Sequence, residues 1–97
     1  MIDSKQRAKL RSMAANLDTI LQIGKSGMND NLIKQVDDAL TARELIKLRV
    51  LETSPESNEE LADELAENTG AEIVQIIGNR IVLFRVSPDE KKRKIIV

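Results

Sequence analysis

Two kinds of hydrophobic spacing alternate along the chain, and this alternation constrains the fold more than any other feature of the sequence. Segments with apolar residues every three or four positions predict amphipathic helices, whereas short β-branched or alternating segments predict strands. Helices are predicted over residues 4–17, 30–41 and 58–69, and strands over residues 19–23, 44–53, 72–77 and 81–86. The predicted order is therefore α-β-α-β-α-β-β.

Residues at the predicted helix ends support these assignments. Asn29 is expected to cap the second helix, with Asp30 in its first turn, where the helix dipole favours a negative charge. Ser57 and Glu60 have the spacing of a capping box at the start of the third helix. Gly70 follows as the expected stop.

The element order predicts the fold class. Strands that alternate with helices pair in parallel through right-handed crossovers, whereas the last two strands form an antiparallel hairpin. Three helices for four strands predict an α+β fold, a two-layer α/β sandwich in which a mixed four-stranded sheet carries its helices on one face. The other face would be open, with Lys47 and Arg49 on it. Residues 1–97 are expected to form a single domain, and the basic tail, residues 88–97, either adds a short edge strand or stays mobile.

Missing residue types exclude several kinds of function. The chain has no Cys and no His, so zinc fingers, disulfide frameworks and catalysis by a thiol or an imidazole are excluded. Adjacent carboxylates lie on predicted helix surfaces rather than in a pocket. We therefore predict a protein that is not an enzyme and needs no cofactor or metal. The sequence has no apolar run near the ~20 residues of a membrane span, and charges interrupt its first residues, so we expect a cytoplasmic protein without membrane contact.

Charge is distributed unevenly along the chain. Residues 1–51 carry nine basic and six acidic groups, residues 52–72 carry eight acidic groups and no basic one, and residues 73–97 carry six basic and two acidic groups. Such polarity can orient a molecule on an anionic partner. The alternative is that the acidic third helix simply faces water.

The tetrapeptide Gly24-Lys25-Ser26-Gly27 (the GKSG loop) lies between a predicted strand and a predicted helix. Glycines let the backbone approach a ligand closely, and a helix start offers free N–H groups. The loop has neither the spacing of a P-loop nor the three glycines of a dinucleotide-binding turn. It matches the G-x-x-G loop with which KH domains clamp a nucleic-acid backbone, although this short pattern also occurs by chance in ordinary turns.

The first helix presents cations on both sides of its apolar stripe, with Arg7 and Arg11 on one flank and Lys5 and Lys9 on the other. Their alternative role is to cover apolar edges with their long stems. Phe84 is the only aromatic residue, and base stacking normally uses aromatic side chains. Binding to a nucleic acid would therefore depend on phosphates and on salt concentration.

Several separated motifs, in order and at matching spacing, resemble the YhbY-type CRM domain family. They cover most of residues 4–87 and are Lys5-Gln6-Arg7, Leu10-Arg11, Gln22-Ile23 with the GKSG loop, Arg43-Glu44-Leu45-Ile46-Lys47-Leu48, Glu60-Leu61-Ala62, Thr69-Gly70-Ala71-Glu72-Ile73-Val74-Gln75-Ile76-Ile77-Gly78 and Ile81-Val82-Leu83-Phe84-Arg85. The resemblance implies an RNA-binding module, and stand-alone bacterial members associate with precursors of the large ribosomal subunit. It also implies a fold related to the C-terminal domain of bacterial initiation factor three, with the GKSG loop as the expected RNA contact.

The combined hypothesis is a non-enzymatic RNA-binding protein that assists assembly of the large ribosomal subunit, with ribosomal RNA and ribosomal proteins as partners. The residues predicted to contact RNA are Gly24, Lys25, Ser26, Gly27, Lys5, Arg7, Lys9, Arg11, Lys47 and Arg49. The alternative is a protein-binding adaptor that uses the acidic face of the third helix and makes no direct RNA contact.

Overall fold

A computed structural model describes residues 2–93 and residue 95. Within them the chain forms three α-helices and four β-strands in the predicted order. The helices are Ser4–Ala14 (α1), Asp30–Arg43 (α2) and Asn58–Thr69 (α3), and the strands are Leu21–Ile23 (β1), Leu45–Val50 (β2), Glu72–Ile77 (β3) and Arg80–Phe84 (β4). The bounds of β3 are those predicted, whereas α1 ends three residues early and β1 and β2 are shorter than expected.

Each helix begins at a side chain that satisfies an otherwise unpaired backbone N–H group. Asn29 accepts a hydrogen bond from the amide of Leu32 (2.8 Å) and Ser57 accepts one from the amide of Glu60 (3.2 Å), which confirms both predicted caps. Asp3 caps α1 through a reciprocal pair with Gln6 that the sequence reading had missed. Gly70 ends α3 with a φ of 73°, as predicted.

The four strands form one mixed sheet in the order β1-β2-β4-β3, which confirms the predicted α+β class. Strands β1 and β2 are parallel and are joined through α2, as the crossover rule requires. Strand β4 lies between β2 and β3 and is antiparallel to both. Gly78, with a φ of 56°, begins the tight turn between β3 and β4.

The prediction that all helices lie on one face of the sheet is wrong. Helices α2 and α3 pack on one face, where Ile46, Leu48 and Leu83 belong to the larger apolar core. Helix α1 packs on the other face, where Leu10 and Ala14 contact a second core. This second core also contains Leu45, Val74, Val82 and Phe84.

The physical reason for this arrangement is visible in β4. Residues 81–84 are all apolar and all buried, so both sides of this strand need a covering layer. Helix α1 covers only part of the second face. The uncovered part, which carries Lys47 and Arg49 as predicted, is here called the open face.

The tail after β4 turns back onto the domain. Residues 90–92 form a short 3-10 helix, and the edge strand or mobile end expected of the last residues stays a prediction. The buried carboxylate of Glu44 accepts hydrogen bonds from the amides of Ser87 (2.9 Å) and Ile95 (3.2 Å). Lys94, Ile96 and Val97 lie outside the described residues. No helix in the described part is both long and apolar enough to cross a membrane.

Candidate nucleic-acid interface

The GKSG loop is a tight turn that exposes its two central side chains. The amide of Gly27 donates to the carbonyl of Gly24 (2.9 Å), which closes a four-residue β-turn. Lys25 and Ser26 therefore lie at its tip, and both are exposed. No described residue accepts a hydrogen bond from the amides of Lys25 or Ser26, so these amides are available to a ligand. The Gly27 amide, predicted to hold phosphate, is already used inside the turn.

The carboxylate of Glu56, from a loop distant in sequence, packs against the GKSG turn at Gly27. Glu56 Oε1 accepts a hydrogen bond from the amide of Met28 (3.2 Å), and Glu56 Oε2 is buried without a hydrogen-bond partner among the described residues. Gly27 packs against this carboxylate and against Pro55, and its φ is 58°. A side chain at position 27 would collide with both neighbours, since an added Cβ would lie 2.8 Å from Pro55 Cγ.

The start of α2 extends the site. Asn29 caps the helix and also donates to the carbonyl of Gly27 (3.3 Å), which fixes the loop to the helix end. A groove of about 280 Å³ lies beside the loop. Polar side chains along it include Gln22, Asn31 and Gln35. Polar donors, a cation and a helix N-terminus suit an anionic ligand such as phosphate.

Sheet register places cations next to this groove on the open face. Gln22 pairs with Arg49, Arg49 pairs with Arg80, and Arg80 pairs with Ile77, so the four side chains form one row across β1, β2, β4 and β3. Register partners share a face of the sheet. Gln22 also lines the groove beside the GKSG loop, here called the loop groove. The row therefore connects the loop groove to Arg49 and Arg80, which lie directly opposite each other on β2 and β4.

Further cations border this row. A second groove, between α1 and the sheet, is lined by Arg11, Lys47, Gln75 and Ile77. Lys47 lies two residues before Arg49 and therefore on the same face. Of the predicted contacts, Arg11 and Lys47 thus line this second groove, and Arg49 lies in the row that begins at Gln22 beside the GKSG loop.

The other cations of α1 are placed differently. The guanidinium of Arg7 donates hydrogen bonds to the carbonyls of Ile73 and Val74, where β3 contains a register shift. Arg7 thus fastens α1 to the sheet. Lys5 and Lys9 are exposed on α1 and line neither of the two grooves.

Arg80 is the site residue that sequence reasoning missed. It follows the hairpin turn and looked like a turn residue. Its position depends on the antiparallel pairing of β4 with β2, which joins positions 31 residues apart. The only available signal was the strand alternation counted back from Phe84, which puts Arg80, Val82 and Phe84 on one face.

The acidic surface lies on the other side of the molecule. Leu61 and Leu65 of α3 belong to the larger core, so α3 covers the face of the sheet opposite to Arg49 and Arg80. Its exposed side chains include Glu59, Asp63 and Glu67. Within the described part of the chain, no group of three or more acidic residues is arranged to hold a metal ion.

A family model identifies the domain that carries this turn and this sheet face. The family model of the CRS1 / YhbY (CRM) domain matches residues 2–85, and the chain belongs to this family. Comparisons with individual proteins agree with this family assignment. The chain is 46% identical over 92 residues to a Bacillus subtilis protein named probable RNA-binding protein YqeI, covering 95% of this chain and 96% of the relative.

Two further relatives agree with this. A Haemophilus influenzae protein named RNA-binding protein is 29% identical over 90 residues, covering 93% of this chain and 91% of the relative. The solution structure of the hypothetical protein SAV1595 from Staphylococcus aureus, described as a candidate RNA binder, superposes with a TM-score of 0.79 at 48% identity. The match covers 98% of this chain and 99% of that one.

Proposed function

We propose that this chain binds RNA, catalyses no reaction, and uses the GKSG loop as its primary contact. One observation carries the proposal. The loop presents the Lys25 ammonium, the Ser26 hydroxyl and two backbone amides without described acceptors, beside the capped start of α2. Three kinds of donor converging on one exposed turn match what a phosphate oxygen accepts.

The comparisons support the choice of RNA as the anionic ligand. Family membership and the names of the relatives from Bacillus and Haemophilus point to RNA. The cations around the open face extend the loop into a larger basic surface. In this proposal Arg11, Lys47 and Arg49 contact the same RNA as the loop, with Lys5 and Lys9 contributing at the edge.

The proposal extends to a cellular role. The RNA is ribosomal, it belongs to precursors of the large ribosomal subunit in the cytoplasm, and the protein assists their assembly next to ribosomal proteins. The resemblance of the sequence motifs to stand-alone bacterial CRM proteins supports this choice. The rival is the protein-binding adaptor, which the exposed acidic side of α3 favours.

Crosslinking and sedimentation test the proposal together. Tagged protein is crosslinked to RNA in cells, the bound RNA is sequenced, and the protein is followed across ribosomal fractions. We expect reads from large-subunit ribosomal RNA and comigration with large-subunit precursors. Comigration without crosslinked RNA would favour the adaptor, and the absence of both would contradict the proposed role in assembly.

A further inference from the structure

The open face carries an arrangement that folding alone does not favour. Arg49 and Arg80 are directly opposite each other on adjacent antiparallel strands, and both are exposed. Like charges in direct opposition destabilise a sheet. No ion pair joins either arginine to any residue that the structure describes. Natural proteins keep local conflicts of this kind mainly at functional or strained sites.

The chemistry of this face restricts what can cover it. Apart from the cations, the face carries the amides of Gln22 and Gln75 and the apolar Ile77, which is 55% exposed. The groove that contains Lys47, Ile77 and Arg80 is also lined by Leu17, Asp18 and Thr19, so one exposed carboxylate borders the cations. The only aromatic residue, Phe84, lies under α1 and is 3% exposed. A face without an aromatic residue lacks the side chains on which proteins most often stack unpaired bases, and only its arginine planes could stack on a base.

The rigid backbone of the sheet further restricts which ligand can bind to the open face. Strands hold the two arginines at a fixed spacing of about 5 Å between Cα atoms, and the row from Gln22 to Ile77 spans three strand spacings, or about 14 Å. A fixed pair of cations matches a phosphate array that is itself fixed. Paired RNA offers such an array on a wide and shallow minor groove, and it is recognised through phosphates and 2′-hydroxyls.

We infer that the open face is a second RNA-contact surface, that Arg80 is one of its phosphate ligands, and that its occupant is base-paired RNA. The inference rests on the proposed function, because the loop groove and the open face meet at Gln22 and would hold one RNA molecule. Arg49 and Arg80 bind the backbone of the duplex, and Arg11 and Lys47 extend the contact towards α1. The GKSG loop contacts the same RNA strand at the edge of this surface.

The test compares two RNA probes and four proteins, namely wild type, the loop variant K25A and two double variants. The probes are a fully paired RNA hairpin and an unpaired RNA of equal length and composition. The double variants are R49Q/R80Q and a control of equal charge change, K34Q/K91Q, whose lysines are exposed on α2 and on the tail. Binding is measured by fluorescence anisotropy at several salt concentrations, and each protein is checked by a thermal melt.

We expect wild-type protein to prefer the hairpin, and R49Q/R80Q to lose about tenfold or more in hairpin affinity at 0.1 M salt. The slope of log K against log salt should fall by about two units, one for each lost phosphate contact. The control variant K34Q/K91Q should keep the hairpin affinity and the salt slope of the wild-type protein. The melting temperature of R49Q/R80Q should stay equal or rise, since the opposed charges are gone.

Three outcomes would overturn the inference. One is wild-type hairpin affinity in R49Q/R80Q, another is an equal loss in the control, and the third is tighter binding of the unpaired probe. Failure of the proposed function gives a different result. In that case the wild-type protein binds neither probe, and the substitution K25A changes nothing. If K25A weakens binding while R49Q/R80Q does not, the loop contact stands and the second surface is wrong.

Discussion

Two glycines of one motif have different reasons to be glycine. Gly27 has a positive φ and lies against Glu56 and Pro55, so both its backbone angle and its surroundings exclude a side chain. Gly24 has no such angle, and an added Cβ would meet Thr53 Oγ1 at 3.5 Å and Leu51 Cδ1 at 3.6 Å, which are ordinary contacts. The motif suggested equal importance for both positions, whereas the structure concentrates the requirement at Gly27.

The substitutions G24A and G27A test this difference. G27A should lower the free energy of unfolding by about 1–3 kcal/mol, because alanine is strained at this φ and collides with the supporting loop. G24A should change stability by less than ~1 kcal/mol and should leave RNA affinity near wild type. Thermal melts and binding titrations on both variants decide the matter. Equal costs at the two positions would contradict this reading of the turn.

At the scale of residues, the sequence predicted the exposed tip and not its support. Lys25 and Ser26 are between two glycines, and a turn with an exposed tip follows from that pattern. Glu56 lies 29 residues beyond Gly27, in a segment that reads only as a strand break. Its contact with the loop depends on tertiary packing, and local spacing contains no signal for it.

At the scale of elements, order and caps were predictable, and the side on which α1 packs was not. The order follows from the periodicity of apolar residues, and Asn29, Ser57 and Gly70 are local signals. The face of the sheet on which α1 packs depends on whether the second face carries apolar side chains that must be buried. Met13 and Leu17, which continue the helical spacing of the buried Leu10 and Ala14, are each 37% exposed, and Leu17 lies beyond the last residue of α1.

Arg7 and Arg11 are one turn apart on α1, and we expect the replacement of Arg7 to lower stability and the replacement of Arg11 to weaken RNA binding. R7A should lower the free energy of unfolding by about 1–2 kcal/mol, since it removes charge-assisted hydrogen bonds to the carbonyls of Ile73 and Val74. A loss of that size lowers the melting temperature by about 4–8 °C per kcal/mol in a domain of this length. R11A should keep wild-type stability and weaken RNA binding.

The comparison of R7A with R11A has an internal control. Both variants lose one arginine from the same helix flank, so their net charges are equal. Thermal melts and RNA titrations are run on both. A stable R7A variant with weak RNA binding would show that Arg7 contacts RNA, as the sequence predicted, and that the sheet contact matters little.

At the scale of the whole molecule, the uneven distribution of charge along the sequence places acidic and basic side chains on opposite faces of the sheet. The acidic side of α3 lies over one face of the sheet, and Arg49 and Arg80 lie on the other. A net charge of −1 therefore hides two surfaces of opposite sign. Such a molecule can approach a polyanion in one orientation while staying close to neutral.

Neutralising the acidic side separates RNA binding from the adaptor function. The triple variant E59Q/D63N/E67Q should bind RNA as tightly as wild type or slightly more tightly, since less negative field reaches the phosphates. Any gain should shrink as salt rises, because screening acts over ~10 Å at 0.1 M. Comigration with large-subunit precursors gives the cellular readout. Loss of comigration with unchanged RNA affinity would favour the adaptor.

The most direct test of phosphate binding by the GKSG loop is a salt titration of K25A against K34A. Both variants lose one exposed lysine, but Lys34 pairs with Asp38 on α2 and does not line the groove beside the loop. We expect K25A to fold normally, to bind structured RNA more weakly, and to show a salt slope reduced by about one unit, while K34A matches wild type. A folded K25A variant with wild-type affinity and wild-type slope would contradict the proposed RNA contact.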